Sequence, residues 1–383
     1  MTIGYVNPGY PVRRTILNKC PDARYVRVRP FVSMAAKVLR AVHLSAFPAI
    51  SRRLKRCAFT GGLSENLGRI DLFHFFNDIA LPPCRTPYVT TFETTVPRSF
   101  SQGRMMQKGL ERLLLNQCRK LIALSEHAKR RQVAFDAENG IKELDKKITV
   151  LLPPQASLCQ EKDLLARQSR RGVITKMIFV GKDFFRKGGA EIVRVLVRIR
   201  KSFPIEAFLI GDYNHVDYAS SWEVDSAEEM HKLFFENKSW LHHFKSIPNA
   251  EMLSLAETCQ VGLLPTRDDT FGYSVLEFQA CGLPCITTDI RALPEVNNEE
   301  IGWLVKVPKL ANGCADFSTT EKMRELSCAI ETGLAEKLAE ALAKPELIQE
   351  KAVGALRNIE INHSPNTYGK RLGEIYAEAL DAR

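Results

Sequence analysis

The 383-residue chain has no apolar run approaching the ~18 residues that a membrane-spanning helix needs, so no span is expected. It has no C-x2-C pair. Its ten cysteines are scattered, Cys281 and Cys285 lying nearest to one another, which argues against zinc or disulfides and for buried thiols kept reduced in a cytosol. No G-x-G-x-x-G follows the first strand-like run of either half, which disfavours a dinucleotide-dependent oxidoreductase. There is no Asp-x-Asp pair to hold a divalent cation, no internal repeat and no low-complexity tract. Met1-Thr-Ile-Gly-Tyr-Val enters a strand-like run directly, so no secretory leader is expected and the protein is placed in the cytoplasm.

What is present is the composition of a soluble globular protein, 45% hydrophobic and 26% charged, with a length that suits two domains. The charge is unevenly spread. Residues 1–150 hold 26 Lys and Arg against 11 Asp and Glu, a balance of +15, and the remainder holds 28 against 33, a balance of −5. A basic first half reads either as a surface for an anionic partner, phosphorylated or a membrane face, or as a solubilising surface with no ligand. Within it, residues 31–59 join an apolar helical stretch bearing Lys37 and Arg40 to Ser51-Arg-Arg-Leu-Lys-Arg56. That segment fits peripheral contact with the inner face of a membrane and equally fits a sheet-covering helix with a solvated basic end. Nucleic acid is not expected, because the basic residues are not interleaved with aromatics in a stacking pattern.

Along the chain, short apolar runs alternate with helical spacing, the rhythm of parallel α/β sheets. Strands are expected at 2–6, 71–76, 87–92, 121–125 and 147–152, with a helix over 102–120 and another opening at Glu126. Gly9, after the first strand, either lets backbone approach a ligand closely or makes an ordinary turn. His74 lies in an apolar strand and reads as a core histidine. Pro153-Pro154 and the polar stretch 155–172 form the expected linker between domains. A second strand–helix series follows from Ile174, and a last helix over 364–380 has a serine cap and Pro365 at its first turn.

The densest chemistry lies in Asp269-Thr-Phe-Gly-Tyr-Ser-Val-Leu-Glu277, which sets two carboxylates eight positions apart around a Phe-Gly turn between two apolar runs. The order is strand, loop, helix, strand, and in parallel sheets ligands sit beyond the carboxyl ends of strands, where helices begin. Asp269 then points into that crevice. Phe271 and Gly272 form the turn, and the first helical amides, those of Tyr273 and Ser274, face a bound anion. Glu277, over a turn further on, suits sugar hydroxyls rather than an anion.

This stretch resembles the E-x7-E signature of retaining glycosyltransferases of the GT-B fold, family 4, with Asp269 where that family usually has Glu. Phe179-Val-Gly-Lys182-Asp-Phe-Phe-Arg-Lys187-Gly-Gly189 resembles the family's Gly-Arg-Leu-x-x-x-Lys-Gly segment, and Leu209-Ile-Gly211-Asp its donor-facing glycine turn. Ile290-Arg-Ala-Leu-Pro-Glu295 and Gly302-Trp-Leu-Val305 match what usually follows, so the likeness runs in order over about 175–306. The resemblance implies two Rossmann-like α/β/α domains facing across a cleft: an acceptor-binding domain over 1–154, a nucleotide-sugar domain over 173–363, and a final helix, 364–383, packed back on the first. It implies transfer of a sugar from a UDP- or GDP-sugar to a glycan or lipid-linked acceptor, without metal or other cofactor. Lys182 and Lys187 stand for the diphosphate-binding Arg and Lys, beside Gly181 and supplemented by Arg186. Glu277 is implied for the ribose, Asp269 for the donor sugar, and Gly211 for the nucleotide. Glu93 stands at or next to a position that is commonly His, where a carboxylate accepts an acceptor's proton or binds a sugar hydroxyl; it reads equally as a capping or surface glutamate. Asp269 and Glu93, both departures from the pattern, keep a second reading open, a homologue that binds nucleotide sugar or polysaccharide without turnover.

Overall fold

The computed structural model describes residues 1–6, 9–28, 70–80, 85–98, 103–162, 164, 174–220 and 226–381. The basic segment at 31–59 and most of the linker beyond Leu164 lie outside the described residues. The chain forms two compact units, one of Met1–Pro154 with Pro365–Arg383, the other of Gln155–Ser364.

In the first unit the described elements are β1 (Thr2–Tyr5), α1 (Tyr10–Thr15), β2 (Arg24–Arg27), β3 (Leu72–Phe76), β4 (Tyr88–Phe92), α2 (Gly103–Leu114), β5 (Cys118–Ala123), α3 (Glu126–Glu138) and β6 (Ile148–Val150). They build a parallel sheet in the order β2-β1-β3-β4-β5-β6. The second unit runs β7 (Thr175–Asp183), α4 (Gly189–Ile199), β8 (Ile205–Asp212), α5 (Ser226–Glu236), β9 (Leu241–Phe244), α6 (Asn249–Ala256), β10 (Val261–Leu264), α7 (Tyr273–Ala280), β11 (Cys285–Thr288), α8 (Leu293–Val296), β12 (Trp303–Val305), α9 (Thr320–Ala343) and α10 (Pro345–Asn362). Its sheet is also parallel, in the order β12-β11-β10-β7-β8-β9.

Strands covered on both faces read as continuous apolar runs, and β4, β10 and β11 are buried at every residue. Each sheet reverses its winding once, at β1/β3 in the first unit and at β7/β10 in the second. Loops leaving adjacent strands there diverge to opposite faces of the sheet and leave a crevice at the carboxyl edge. Each unit has its candidate site at that reversal.

Several expected boundaries move. The helix expected over 102–120 ends at Leu114, and β5 begins at Cys118 rather than 121. The stop comes from outside the segment: Lys147 Nζ lies 2.9–3.0 Å from the carbonyls of Leu113, Leu114, Leu115 and Cys118, and its three N–H groups, shared among them, satisfy the helix end. The strand expected at 147–152 narrows to Ile148–Val150 because Leu144–Lys147 forms a 3₁₀ turn that presents this lysine.

The last helix, α11 (Pro365–Asp381), belongs to the first unit and lies on β3, β4 and β5. Its Leu372, Ile375 and Tyr376 join Ile3, Leu72, Val89 and Ile122 in one buried cluster. His74 is a hydrogen-bonded core residue: Nδ1 meets Tyr376 Oη and Nε2 meets Thr91 Oγ1, both at 2.7 Å. Burial lowers its pKa to about 3. On α3, burial raises Asp136 to about 7; Gln132 donates to its Oδ1, while no partner reaches its Oδ2 among the described residues.

These two groups drive stability in opposite directions on acidification. Below an unfolded His pKa near 6.5 the unfolded chain takes a proton that folded His74 refuses until about pH 3, so stability falls through that window. Folded Asp136 takes its proton near pH 7 while the unfolded carboxyl waits until about 3.8, so stability rises as pH falls between them. Each slope is at most about 1.4 kcal/mol per pH unit. Asp136→Asn is therefore expected to lose stability from pH 7 to 5 relative to wild type, and His74→Gln to gain it. Urea midpoints at the two pH values measure both, and shifts of the same sign in the two variants would rule this balance out.

Candidate active site

The second unit's crevice is built from the loops after β7 and β10. β7 runs through to Asp183, so Lys182 lies exposed on the strand, one residue from its end. Gly181 and Gly211 are in backbone contact across β7 and β8; a Cβ on Gly211 would lie 2.2 Å from the Gly181 carbonyl oxygen. Residues 184–188 then turn into α4. Gly188 has φ +86, and a Cβ there would sit 2.2 Å from Pro265 O, so only glycine lets this turn touch the β10 loop. Arg267 N donates to Arg186 O at 2.9 Å and closes the contact.

Lys187 and Asp269 meet across this contact. Lys187 Nζ lies 2.6 Å from Asp269 Oδ2 and also donates to Asp268 O at 3.1 Å. Asp269 Oδ1 accepts the amides of Phe271 and Gly272 at 3.1 and 3.0 Å. Burial alone would raise the Asp269 carboxyl, but the Lys187 ammonium and the two amides hold it below the usual carboxylate range. Gly272, with φ +91, turns the chain into α7. Tyr273 and Ser274 open that helix half-buried, and Glu277 lies on its second turn, 7% exposed, with Asn249 Nδ2 at 3.5 Å from Oε1. The structure thus brings Lys187, Asp269, Phe271 and Gly272 into direct contact.

Arg186, expected to supplement the phosphate cations, is occupied otherwise. Its guanidinium is divided among Asp183, Asp217 and Asp268 O, which makes it a brace for three loops. The outcome follows from the carboxylates that surround it: despite the cost of burial, Asp183 and its neighbours leave the guanidinium even more firmly protonated.

Several residues of the site carried no signal of their own in the sequence. Asp268, 4% exposed, accepts from Tyr218 Oη and pairs with Arg291 at 2.8 Å. Arg291 has φ +47, unusual for an arginine, on the loop after β11. Arg267 and Glu191, both fully buried, form an ion pair at 2.5 Å that fixes the β10 loop to α4. Adjacency to Asp269 in the run Arg267-Asp268-Asp269 is the one mark on the first two, and Arg291 stands out only through its place in the segment from Ile290 to Glu295.

In the first unit, Gly9 and Glu93 line one pocket of about 380 Å³ at the β1/β3 reversal, with Tyr5, Val6, Pro11, Val12, His74, Phe75, Phe76, Asn77, Asp78 and Arg98. Glu93 is 7% exposed, its N–H donates to Asn77 Oδ1 at 3.0 Å, and its Oε2 lies 3.5 Å from Arg98 Nη1. It is a pocket residue and not a surface glutamate.

Known proteins share this architecture. Residues 167–326 match the family model described as glycosyl transferases group 1. A glycogen synthase of Mycobacterium tuberculosis is 24% identical over 218 residues, 56% of this chain and 45% of its own length. In Arabidopsis thaliana, one component of the phosphatidylinositol N-acetylglucosaminyltransferase is 22% identical over 123 residues, 32% of this chain and 26% of its own. The chain therefore spans less than half the length of either curated relative. Among solved structures, a glycosyltransferase from Rickettsia africae superposes with TM-score 0.62 at 15% identity, covering 99% of this chain and 98% of its own. Anabaena Alr3699/HepE, solved with UDP and glucose, gives 0.59 at 14% identity over 98% and 99%. A sucrose-phosphate synthase from Thermosynechococcus elongatus gives 0.61 at 13% identity over all of both chains. The fold is that of the GT-B glycosyltransferases, and the match to glycosyl transferases group 1 covers residues 167–326, the greater part of the second unit.

Proposed function

We propose that the protein is a glycosyltransferase that moves a sugar from a UDP- or GDP-sugar to a hydroxyl of a glycan or lipid-linked acceptor, at the cytoplasmic side of a membrane. The observation that carries this reading is the meeting of Lys187 and Asp269 at the β7/β10 reversal, beside the start of α7. A departing diphosphate needs positive charge where its bond to the sugar breaks. Lys187, exposed Lys182 and the amide end of α7 supply it. Asp269 then takes a hydroxyl of the donor sugar and Glu277 the ribose, the roles of the E-x7-E pair of family 4. In the same-face course proposed here, the acceptor oxygen attacks the anomeric carbon as that bond to the diphosphate opens. Its proton passes to the leaving phosphate, and the configuration is retained without metal.

One observation favours a second reading, a homologue that binds nucleotide sugar without transfer: both oxygens of Asp269 are engaged, by Lys187 and by the loop's own amides. The two readings separate on sugar transfer by the wild type, since in both of them a diphosphate has to draw the Lys187 ammonium from Asp269.

Lys187→Ala is expected to weaken UDP or GDP binding at least tenfold, about 1.4 kcal/mol, in calorimetric titration; unchanged affinity would contradict the diphosphate assignment. Asp269→Asn releases Lys187 and is expected to bind the free diphosphate severalfold more tightly while sugar transfer or donor hydrolysis falls at least tenfold. Tighter binding with no transfer by wild type on any acceptor would select the second reading. Weaker UDP and GDP binding in Asp269→Asn would sink the competition for Lys187.

A further inference from the structure

Asp268 takes no part in the donor roles proposed above, yet the loops after β7, β8, β10 and β11 meet on it. Its two ends are used differently. The main-chain carbonyl receives the loop after β7: Lys187 Nζ lies at 3.1 Å and Arg186 Nη1 at 3.0 Å, beside Thr266 Oγ1 at 2.9 Å. The carboxylate is turned to the loops after β8 and β11. Its Oδ2 accepts the Tyr218 hydroxyl, and its Oδ1 pairs with Arg291 Nη2 at 2.8 Å without hydrogen-bond alignment. Among the described residues the phenol is thus the one aligned donor on that carboxylate. Partial burial, and then the carboxylate itself, raise Tyr218 to about 12, so it keeps its proton across the physiological range.

We propose that Asp268 is a positioning residue for Lys187 and that Tyr218 holds it in that role. The Lys187 ammonium gives one N–H to Asp269 Oδ2 and one to Asp268 O, and its third meets no acceptor among the described residues. A carboxylate that fixes a cation also neutralises it, whereas a carbonyl fixes it and leaves its charge standing. Asp268 offers Lys187 the carbonyl and keeps its carboxylate on Tyr218 and Arg291. An anion that draws the ammonium from Asp269 therefore meets a lysine still tethered at the crevice and uncompensated. Without the Tyr218 bond the Asp268 carboxylate is free to turn to the cation already on its own carbonyl, and Lys187 is then compensated by two adjacent aspartates. The biological role rests on the transferase reading, where the anion is the donor's diphosphate; the placing of Lys187 does not.

Tyr218→Phe removes the hydroxyl alone. The residue is 60% exposed, and its ring contacts with Phe317 and the Arg186 guanidinium, both at 5.9 Å, remain to a phenylalanine. Calorimetric titration of UDP, GDP and inorganic pyrophosphate into the full chain is expected to show about fivefold weaker binding, with the melting temperature unchanged. In a Lys187→Ala background the same substitution is expected to change nothing further, because its effect passes through the lysine. The second readout needs no ligand. Against burial, the Lys187 ammonium holds the Asp269 carboxyl low; a second carboxylate on that ammonium weakens the hold, so Asp269 is expected to titrate higher in Tyr218→Phe by carbon-13 NMR. Unchanged affinity, an unchanged Asp269 titration, or an equal loss of affinity with and without Lys187 overturns the proposal. No binding of UDP, GDP or pyrophosphate by wild type would instead remove the donor reading, and the Asp269 titration alone would then decide whether Asp268 places Lys187.

Discussion

The second unit's site depends on one constraint, the fixing of the β10 loop against the turn that follows β7. Buried Arg267 and Glu191 are its anchor. Two charges with no exposed side-chain surface are costly to desolvate, and the pair is tolerable only because further hydrogen bonds help satisfy it: Ser327 Oγ donates to Glu191 Oε1 at 2.8 Å, and Arg267 reaches Ala219 O at 3.4 Å. Such a pair contributes little net stability compared with an apolar packing. What it contributes is register. With Arg267 fixed to α4, the next two residues, Asp268 and Asp269, are delivered to Tyr218, Arg291 and Lys187, and Gly188 allows the backbones to close.

The consequence is a site whose charges are largely compensated before any ligand arrives. Arg186, Lys187 and Arg291 each pair with an aspartate, while Lys182 remains exposed at the end of β7. A crevice compensated in this way is pre-organised without being strongly attractive. Under the function proposed above, a diphosphate would have to redistribute these partners as well as add charge, so that its binding and the release of Asp269 would be one event.

How much of this the sequence disclosed follows from the range of each interaction. The strand–loop–helix frame around 261–288 was readable because apolar runs, glycines and the helix start are local signals. Gly272 and the turn at Gly188–Gly189 were readable for the same reason. Where α2 ends was not, since the lysine that closes it, Lys147, is more than thirty residues away. Nor was Arg186's role: a basic residue beside Lys187 looks like a phosphate ligand until Asp183 and Asp217 are seen folded onto it. The His74–Tyr376 hydrogen bond spans 302 positions and exists only because α11 returns to the first unit.

The asymmetry between the two units follows from the same physics. The second unit's site sits on short loops with glycine punctuation, so its residues recur at fixed spacing and leave a motif. The first unit's pocket is assembled from three strand ends, at Tyr5, at Asn77 and at Glu93, with long stretches of chain between them. No spacing rule connects those positions. What connects them is the β1/β3 reversal, where the sheet's winding changes sense and any side chain on the carboxyl edge faces the same crevice. Position in the fold therefore marks both sites, while sequence pattern marks only one. A ligand whose recognition is spread over diverging loops in this way is free to change without disturbing the motif from Asp269 to Glu277.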